Sequence, residues 1–354
     1  MAVNIAEILK HFNISGDAAP LGNGHINETF LVTLPGSVVV QKINKNVFHD
    51  PAAVMENVKA VTGHLKKKIR ESGGDPSKET LNFLDTVDGL PYYLTEDGDY
   101  YRAYVYVDGV KSYDVAESPE LLYQAARAFG RFQNMLADFP AETLHEVIPS
   151  FHDTRKRFRD FTASVEKNAS GRAENAKAEI DFILRREADC GIVVDALRSG
   201  DLPVRVTHND TKLNNVLFDE NTDEGVCVID LDTVMPGSLL YDFGDALRFA
   251  GSSGAEDEKD LSKIWFDLEN FEYFTRGFLE ATPSITEKEK ELLPFSVKLM
   301  TLECGMRFLA DYIDGDVYFK TAYPEHNLVR ARTQIKLVAD IEKKFDKMKE
   351  TVNK

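Results

Sequence analysis

The run THNDTKLNNVLFD at 207–219 places His208, Asp210 and Asn215 in the order H-x-D-x-x-x-x-N, and VCVIDLDTVMPG at 226–237 sets Asp230 and Asp232 at the end of a β-branched run. An acid, a carboxamide and a second acid are what a phosphoryl-transfer site requires. One acid orients a hydroxyl, and the oxygen donors hold Mg²⁺ against the phosphates of ATP. Asp210 suits the first task; Asn215 and Asp230 suit the second. Alone, H-x-D-x-x-x-x-N is weak, because Asn and Asp are common in turns. The V-I-D run about fifteen residues beyond the Asn is what makes the pattern specific.

Convergence of these residues needs a particular local structure. Val204 and Val206 read as a short strand entering a loop, Val216–Phe218 as a strand leaving it, and Val226–Ile229 as its partner across an acidic turn closed by Gly225. Such a hairpin brings Asp210, Asn215 and Asp230 to one edge. His208 reads as a scaffold histidine rather than a base, since the acid takes that role in phosphoryl transfer. Tyr241-Asp242-Phe243-Gly244 contains D-F-G, but it follows a Met-Pro-Gly turn and opens the helical pattern DALRFA. Asp242 is therefore read as a structural residue at a helix start. Asp232 is left open among an acid that supports the metal ligands from behind, a ligand to a second metal, and a solvent-facing turn acid.

The elements around this hairpin fall into two parts. Residues 1–12 read as a helix, Pro20–Gly24 as a turn, and Thr29–Leu34 and Val38–Ile43 as strands joined at Pro35-Gly36-Ser37. A helix follows from Asp50-Pro51, then LNFLDTV, PYYLTE and YYRAYVYV supply further strands. Asp108-Gly109 reads as a hinge. Beyond it ELLYQAARAFGRFQNMLADF, Phe151–Val165 and Ala173–Glu187 carry helical spacing. Two units are expected, 1–108 and 109–354. The glycine turn at Gly22 and Gly24 is a candidate phosphate cover, because glycine lets backbone N–H groups approach phosphate oxygens. Lys42 stands where a strand lysine would meet the phosphates and Glu56 where its ion-pair partner would lie, although Gln41 competes for the inward position. Adenine is expected at the hinge, near Tyr106 and Val107. The segment GSSG at 251–254, followed by EDEKD at 256–260, reads as a flexible solvated loop.

Composition narrows the classes. The 354 residues, 43% hydrophobic and 29% charged, suit a soluble protein with a large core. A formal net charge of −17 argues against nucleic acid and anionic membranes as partners. Three scattered cysteines, Cys190, Cys227 and Cys304, make neither a disulfide framework nor a metal set, consistent with a cytoplasmic location. MAVNIAEILKHFNI at the N-terminus lacks a signal-peptide core, and no run approaches a membrane span. Oligomeric state is left open, a monomer being compatible with the sequence.

The H-x-D-x-x-x-x-N and V-I-D pair resembles the aminoglycoside phosphotransferase and choline kinase-like superfamily, and the N-acetylhexosamine 1-kinases within it more closely. The likeness runs through GNGHINETFLV at 22–32, FHDTRKRF at 151–158, VTHNDTKLNN at 206–215, VIDLDTVMPGS at 228–238 and YDFGDALRF at 241–249. It continues in ELLPFS at 291–296, ECGMRFLADYIDGDVYF at 303–319 and YPEHNLVRARTQIKLV at 323–338. The resemblance implies an α+β, bilobal protein-kinase-like fold with a small antiparallel-sheet N-lobe and a mainly helical C-lobe. It implies that ATP and Mg²⁺ serve phosphorylation of the anomeric hydroxyl of N-acetylglucosamine or N-acetylgalactosamine. Asp210 takes the base position, Asn215 and Asp230 the metal positions, and His25, Arg307 and Tyr318 the sugar-contacting positions. Read from the residues alone, Arg307 could instead pair with Asp311 one turn along a helix. Rival readings are a related kinase for choline, homoserine or an aminoglycoside, and a non-catalytic nucleotide-binding protein.

Overall fold

The computed structural model describes residues 5–21 and 27–354; Gly22, Gly24 and His25 lie outside them. The chain begins with α1 (Ile5–His11), β1 (Asp17–Pro20), β2 (Glu28–Thr33) and β3 (Val38–Ile43). The long α2 (Pro51–Glu71) and the single-turn α3 (Pro76–Glu79) follow, then β4 (Phe83–Leu84), β5 (Tyr93–Leu94) and β6 (Tyr100–Val105). The strands form one antiparallel sheet in the order β1-β2-β3-β6-β4, with β5 also on β6. Pro20, expected to open a turn, is instead the last residue of β1, opposite Phe30. Proline is tolerated there because β1 is an edge strand.

Alternation divides β3 between two environments. Val38 and Val40 face α1 and pack with Ile8, Leu9 and Phe12. The opposite face carries Gln41, level with Thr29 on β2 and Arg102 on β6. Helix α2 starts where Asp50 accepts from Ala53 N at 3.1 Å and Pro51 occupies the first turn.

The second part carries β7 (Val110–Lys111), α4 (Pro119–Met135), α5 (Thr154–Lys167), α6 (Lys177–Leu184) and α7 (Ile192–Ser199). Four short strands follow: β8 (Arg205–Thr207), β9 (Val216–Asp219), β10 (Gly225–Val228) and β11 (Met235–Gly237). Helices α8 (Leu239–Ala250), α9 (Leu268–Ala281), α10 (Glu287–Asp314) and α11 (His326–Val352) complete the chain. The expected β9–β10 hairpin is present, with Val216 opposite Val228, and β7 extends it; β8 pairs with β11. Helix α5 starts three residues later than its spacing suggests, because the Asp153 side chain caps it on Lys156 N at 2.8 Å. The pattern at 173–187 is a 3-10 turn followed by α6, broken where Ala176 departs from helical backbone at φ −128°. An antiparallel-sheet N-terminal region followed by a helical C-terminal part is the protein-kinase-like arrangement.

One hydrophobic core crosses between the two parts. Val54, Val58, Val61 and Leu65 of α2 pack with Phe129 and Phe132 of α4 and with Leu231 and Val234. Asn57 on the same helix is fully buried. Its amide donates to His145 O at 2.8 Å and Val234 O at 2.9 Å, and its Oδ1 accepts from His145 N at 2.8 Å. Asn57→Ala would leave a buried donor and two acceptors without partners. The expected loss is on the order of 3 kcal/mol, measured by urea denaturation; a loss below 1 kcal/mol would mean that water replaces the amide.

Candidate active site

The loop between β8 and β9 is built around a buried carboxylate. Asp242, at the start of α8, accepts from His208 N and Gln133 Nε2 on one oxygen at 2.8 and 2.6 Å, and from Asn209 N on the other at 2.8 Å. Its backbone carbonyl accepts from the Thr211 hydroxyl at 2.7 Å. Burial raises its pKa, offset in part by these donors. Asp242 therefore shapes the loop. His208 is fully buried; its Nε2 meets Ile229 O at 2.8 Å and its ring lies edge-on to Phe129 and Phe132. Asn209 takes a left-handed backbone, φ 67°, a conformation that Asn tolerates, and donates through its amide to Thr233 O at 2.7 Å.

These braces bring two of the expected residues into contact. Asn215 Nδ2 donates to Asp210 O at 2.7 Å and to Asp210 Oδ2 at 3.2 Å, which leaves its Oδ1 available to a cation. Asp230 follows β10 in a left-handed conformation, φ 58°. Among the described residues no donor reaches its carboxylate. Its pKa is pushed up to about 6 by burial, then by the neighbouring Asp232 and Asp210. An acid raised by its acidic neighbours, with no donor on its carboxylate among the described residues, suits a cation. No group of three His, Cys, Asp or Glu side chains converges among the described residues. One acid and a carboxamide, Asp230 and Asn215, would suffice for Mg²⁺, which keeps water and phosphate among its ligands.

Lys212 is a residue that sequence reasoning missed. Its Nζ lies 2.8 Å from Asp210 Oδ1. Burial lowers its pKa, but Asp210 outweighs burial and the net shift is upward, so the ammonium is retained. The signal was present: a lysine two residues after the loop acid. The three cysteines carry no site chemistry; burial pushes each thiol up to about 12.

On the sheet, Lys42 and Glu56 do not pair. The Lys42 ammonium is 2.7 Å from Asp99, on the sheet face opposite Gln41, while Glu56 projects from α2 to His145 Nε2 at 2.6 Å. Strand alternation is the reason: with Gln41 facing inward, Lys42 must face out. Gln41 accepts from Arg102 Nε and Nη2 at 3.0 and 2.8 Å, and Arg102 Nη1 donates to Asp232. Asp232 is thus neither a turn acid nor free for a metal: its second oxygen accepts from Asn27 at 2.7 Å. Tyr106 and Val107 connect the two parts; Tyr106 N donates to Ser37 O at 2.8 Å, and Val107 is buried.

On the helical side Arg307 has no ion-pair partner among the described residues. Asp311 instead accepts from the N–H groups of Val317, Tyr318 and Phe319 at 2.9, 2.7 and 3.0 Å, and so shapes the loop after α10. The Arg307 guanidinium lies 5.6, 5.9 and 5.5 Å from the ring centres of Phe151, Tyr318 and Phe319. The Tyr318 side chain is 71% exposed, so it is not a core residue. Nearby acids have partners. Arg248 pairs with Asp245 at 3.0 Å and Glu256 at 2.9 Å, and Glu303 meets His152 Nδ1 at 2.9 Å. The 251–260 segment is pinned rather than free: Asp257 reaches His326 at 3.1 Å, and Thr333 donates to Glu258 O at 3.3 Å. Side chains of α8 and α11 account for this: Arg248 holds Glu256, while His326 and Thr333 hold the two residues after it.

The profile of the phosphotransferase enzyme family, APH, matches residues 17–273. Among solved structures, a microcompartment-associated aminopropanol kinase shares 16% identity, with 97% of each chain covered and a TM-score of 0.61. A spectinomycin phosphotransferase, solved with ADP and spectinomycin, shares 15% identity over 96% of this chain and 98% of its own, with a TM-score of 0.59. Choline kinase from Cryptosporidium parvum shares 14% over 95% and 92%, with a TM-score of 0.57. At such identities the likeness is one of fold.

The raised Asp230 pKa has a measurable consequence. Folding opposes ionisation of this acid, a penalty absent below the ordinary value of 3.8, growing as pH rises and fully present above about 6. Asp230→Asn should therefore raise the melting temperature of metal-free protein more at pH 7.5 than at pH 5, by calorimetry. An equal gain at both pH values would show that the acid is not held in this way.

Proposed function

Because the chain belongs to the phosphotransferase enzyme family and is a small-molecule kinase by class, we propose that it phosphorylates the anomeric hydroxyl of an N-acetylhexosamine. Its products would be ADP and the sugar 1-phosphate. The observation that carries this choice of acceptor is Arg307, a guanidinium with no acid of its own, set among Phe151, Tyr318 and Phe319. An aromatic wall with an unpaired donor suits a neutral polyol: the rings pack on a sugar face, and the guanidinium donates to ring hydroxyls or an acetamide oxygen. A cationic amino alcohol or aminoglycoside requires aromatic faces or acids open to it. Here Asp245 and Glu256 are already paired with Arg248, and Arg307 repels a cation.

In this reading Asp210 accepts the proton of the anomeric hydroxyl as its oxygen bonds to the γ-phosphorus and the bond to the ADP oxygen breaks. An anomeric hydroxyl is more acidic than an ordinary alcohol, so orientation carries much of the work. Asn215 keeps Asp210 oriented through two hydrogen bonds. Lys212, beside Asp210, brings positive charge to the side where negative charge gathers on the transferring group. Asn215 Oδ1 and Asp230 would hold Mg²⁺, which when bound supplies charge neutralisation at the phosphates. The backbone at Tyr106 and Val107 would receive adenine, and the glycine segment around Gly22 and Gly24 would cover the phosphates.

The decisive experiment incubates the protein with ATP, Mg²⁺ and, in turn, N-acetylglucosamine, N-acetylgalactosamine, glucose, choline, ethanolamine and homoserine. Phosphorus NMR should show an anomeric phosphate with the N-acetylhexosamines; turnover confined to a cationic acceptor would refute the proposal. Arg307→Ala should raise the sugar KM by about tenfold, equivalent to about 1.4 kcal/mol, with little change in the ATP KM. Asp210→Asn should lower kcat by at least about a hundredfold while leaving ADP affinity intact, measured by calorimetric titration.

A further inference from the structure

The inner face of the N-terminal sheet holds an uncommon feature: an arginine with almost no exposed surface. Arg102 lies in a cross-strand row, Thr29, Gln41, Arg102. Thr29 accepts from Gln41 Nε2 at 3.1 Å, and Gln41 offers its carbonyl to two guanidinium nitrogens. The fourth group, Asp232, belongs to the other part of the chain, and its carboxylate is also buried. Among the described residues no other acid pairs with Arg102. A buried guanidinium is costly unless it is both paired and hydrogen-bonded, so this row of the sheet has a fixed demand for the 232 carboxylate.

The segment next to Asp230 is held at three successive residues. Asp232 is gripped by Arg102 and by Asn27, whose own Oδ1 accepts from Asn44 N at 3.0 Å. The Thr233 hydroxyl donates to His208 O at 2.6 Å, and its carbonyl accepts from Asn209 at 2.7 Å. The Val234 carbonyl accepts from Asn57. Only the first of these grips is a charge from the sheet, and it lies two residues from an acid in left-handed backbone. A non-glycine residue persists in that conformation only when its surroundings overdetermine it.

We propose that Arg102 is a positioning residue for the metal site: acting through Asp232, it sets the direction of Asp230 and couples the nucleotide-side sheet to the catalytic loop. Asp232 is then an anchor between the two parts of the fold rather than a metal ligand, since both of its oxygens are engaged by the sheet side. Gln41 stands where a strand lysine was expected because its carbonyl completes the arginine's donor set, and a second cation there would face Arg102. The proposal rests on the reading of Asp230 as a metal-holding residue.

The test measures Mn²⁺ affinity in the presence of ADP, by electron paramagnetic resonance, together with kcat and the separate KM values. The variants are Arg102→Lys, Arg102→Met, Asp232→Asn, their Met/Asn double variant and Asp230→Asn. Arg102→Met and Asp232→Asn should each weaken Mn²⁺ binding by about tenfold, the lower end for residues that orient ligands. The double variant should be no weaker than either single one, Arg102→Lys should recover part of the loss, and the sugar KM should not move. Asp232→Asn keeps the shape and one acceptor, and circular dichroism establishes that each variant is folded. Wild-type Mn²⁺ affinity in folded Asp232→Asn, or losses that add in the double variant, would overturn the proposal alone. An Asp230→Asn variant with unchanged affinity would overturn the metal reading, and the proposal with it.

Discussion

The buried pair between Arg102 and Asp232 is the constraint to which much of this structure answers. It places a guanidinium from a β-strand and a carboxylate from a loop about 130 residues away in a space from which water is excluded. Neither charge is tolerable there alone: removing one member of such a pair costs roughly 3–5 kcal/mol. The rest of the inner sheet face is arranged around that need. Gln41 supplies the acceptor on the far side of the guanidinium, Thr29 orients Gln41, and Asn27 occupies the remaining carboxylate oxygen. The strand residue that a kinase-like layout leads one to expect as a lysine is displaced outward, to Asp99.

The same segment serves chemistry and architecture at once. Leu231 and Val234 belong to the core shared by α2 and α4, while Asp230 between hairpin and core is left with an acid that no described donor satisfies. Asp242 performs the corresponding service for the Asp210 loop, holding two successive N–H groups and the glutamine of α4. The candidate site is therefore made of two short, irregular loops, each fixed by one buried carboxylate. This division is economical in physical terms, since a buried acid whose oxygens are all engaged by donors holds its surroundings in one arrangement.

Charge on the acceptor side follows a different rule. The chain carries a net charge of −17, yet the acids near the helical face of the cleft are paired with Arg248 and His152. Net charge is a statement about the whole surface; recognition depends on which charges remain uncompensated locally. Arg307 remains so because Asp311, its neighbour one helical turn on, is drawn to three backbone N–H groups of the following loop. That competition leaves a cation among aromatic rings, the feature on which the choice of acceptor turns.

Much of the fold was legible in the amino-acid order, because local rules act there. Strand alternation in VVVQKI, the Asp-Pro helix start at Asp50, the β9–β10 hairpin around its acidic turn and the left-to-right order of Asp210, Asn215 and Asp230 all depend on neighbours in the chain. Sequence alone determined the family and the sheet-then-helix arrangement. It did not determine which of Gln41 and Lys42 faces inward, where Glu56 points, whether Asp232 is free, or that Lys212 lies against Asp210. Those are decided by pairings between residues remote in sequence: Arg102 with Asp232, Glu56 with His145, Asp311 with the loop after α10. A charged side chain takes the partner that the tertiary fold brings within reach, and spacing along the chain carries no record of that distance.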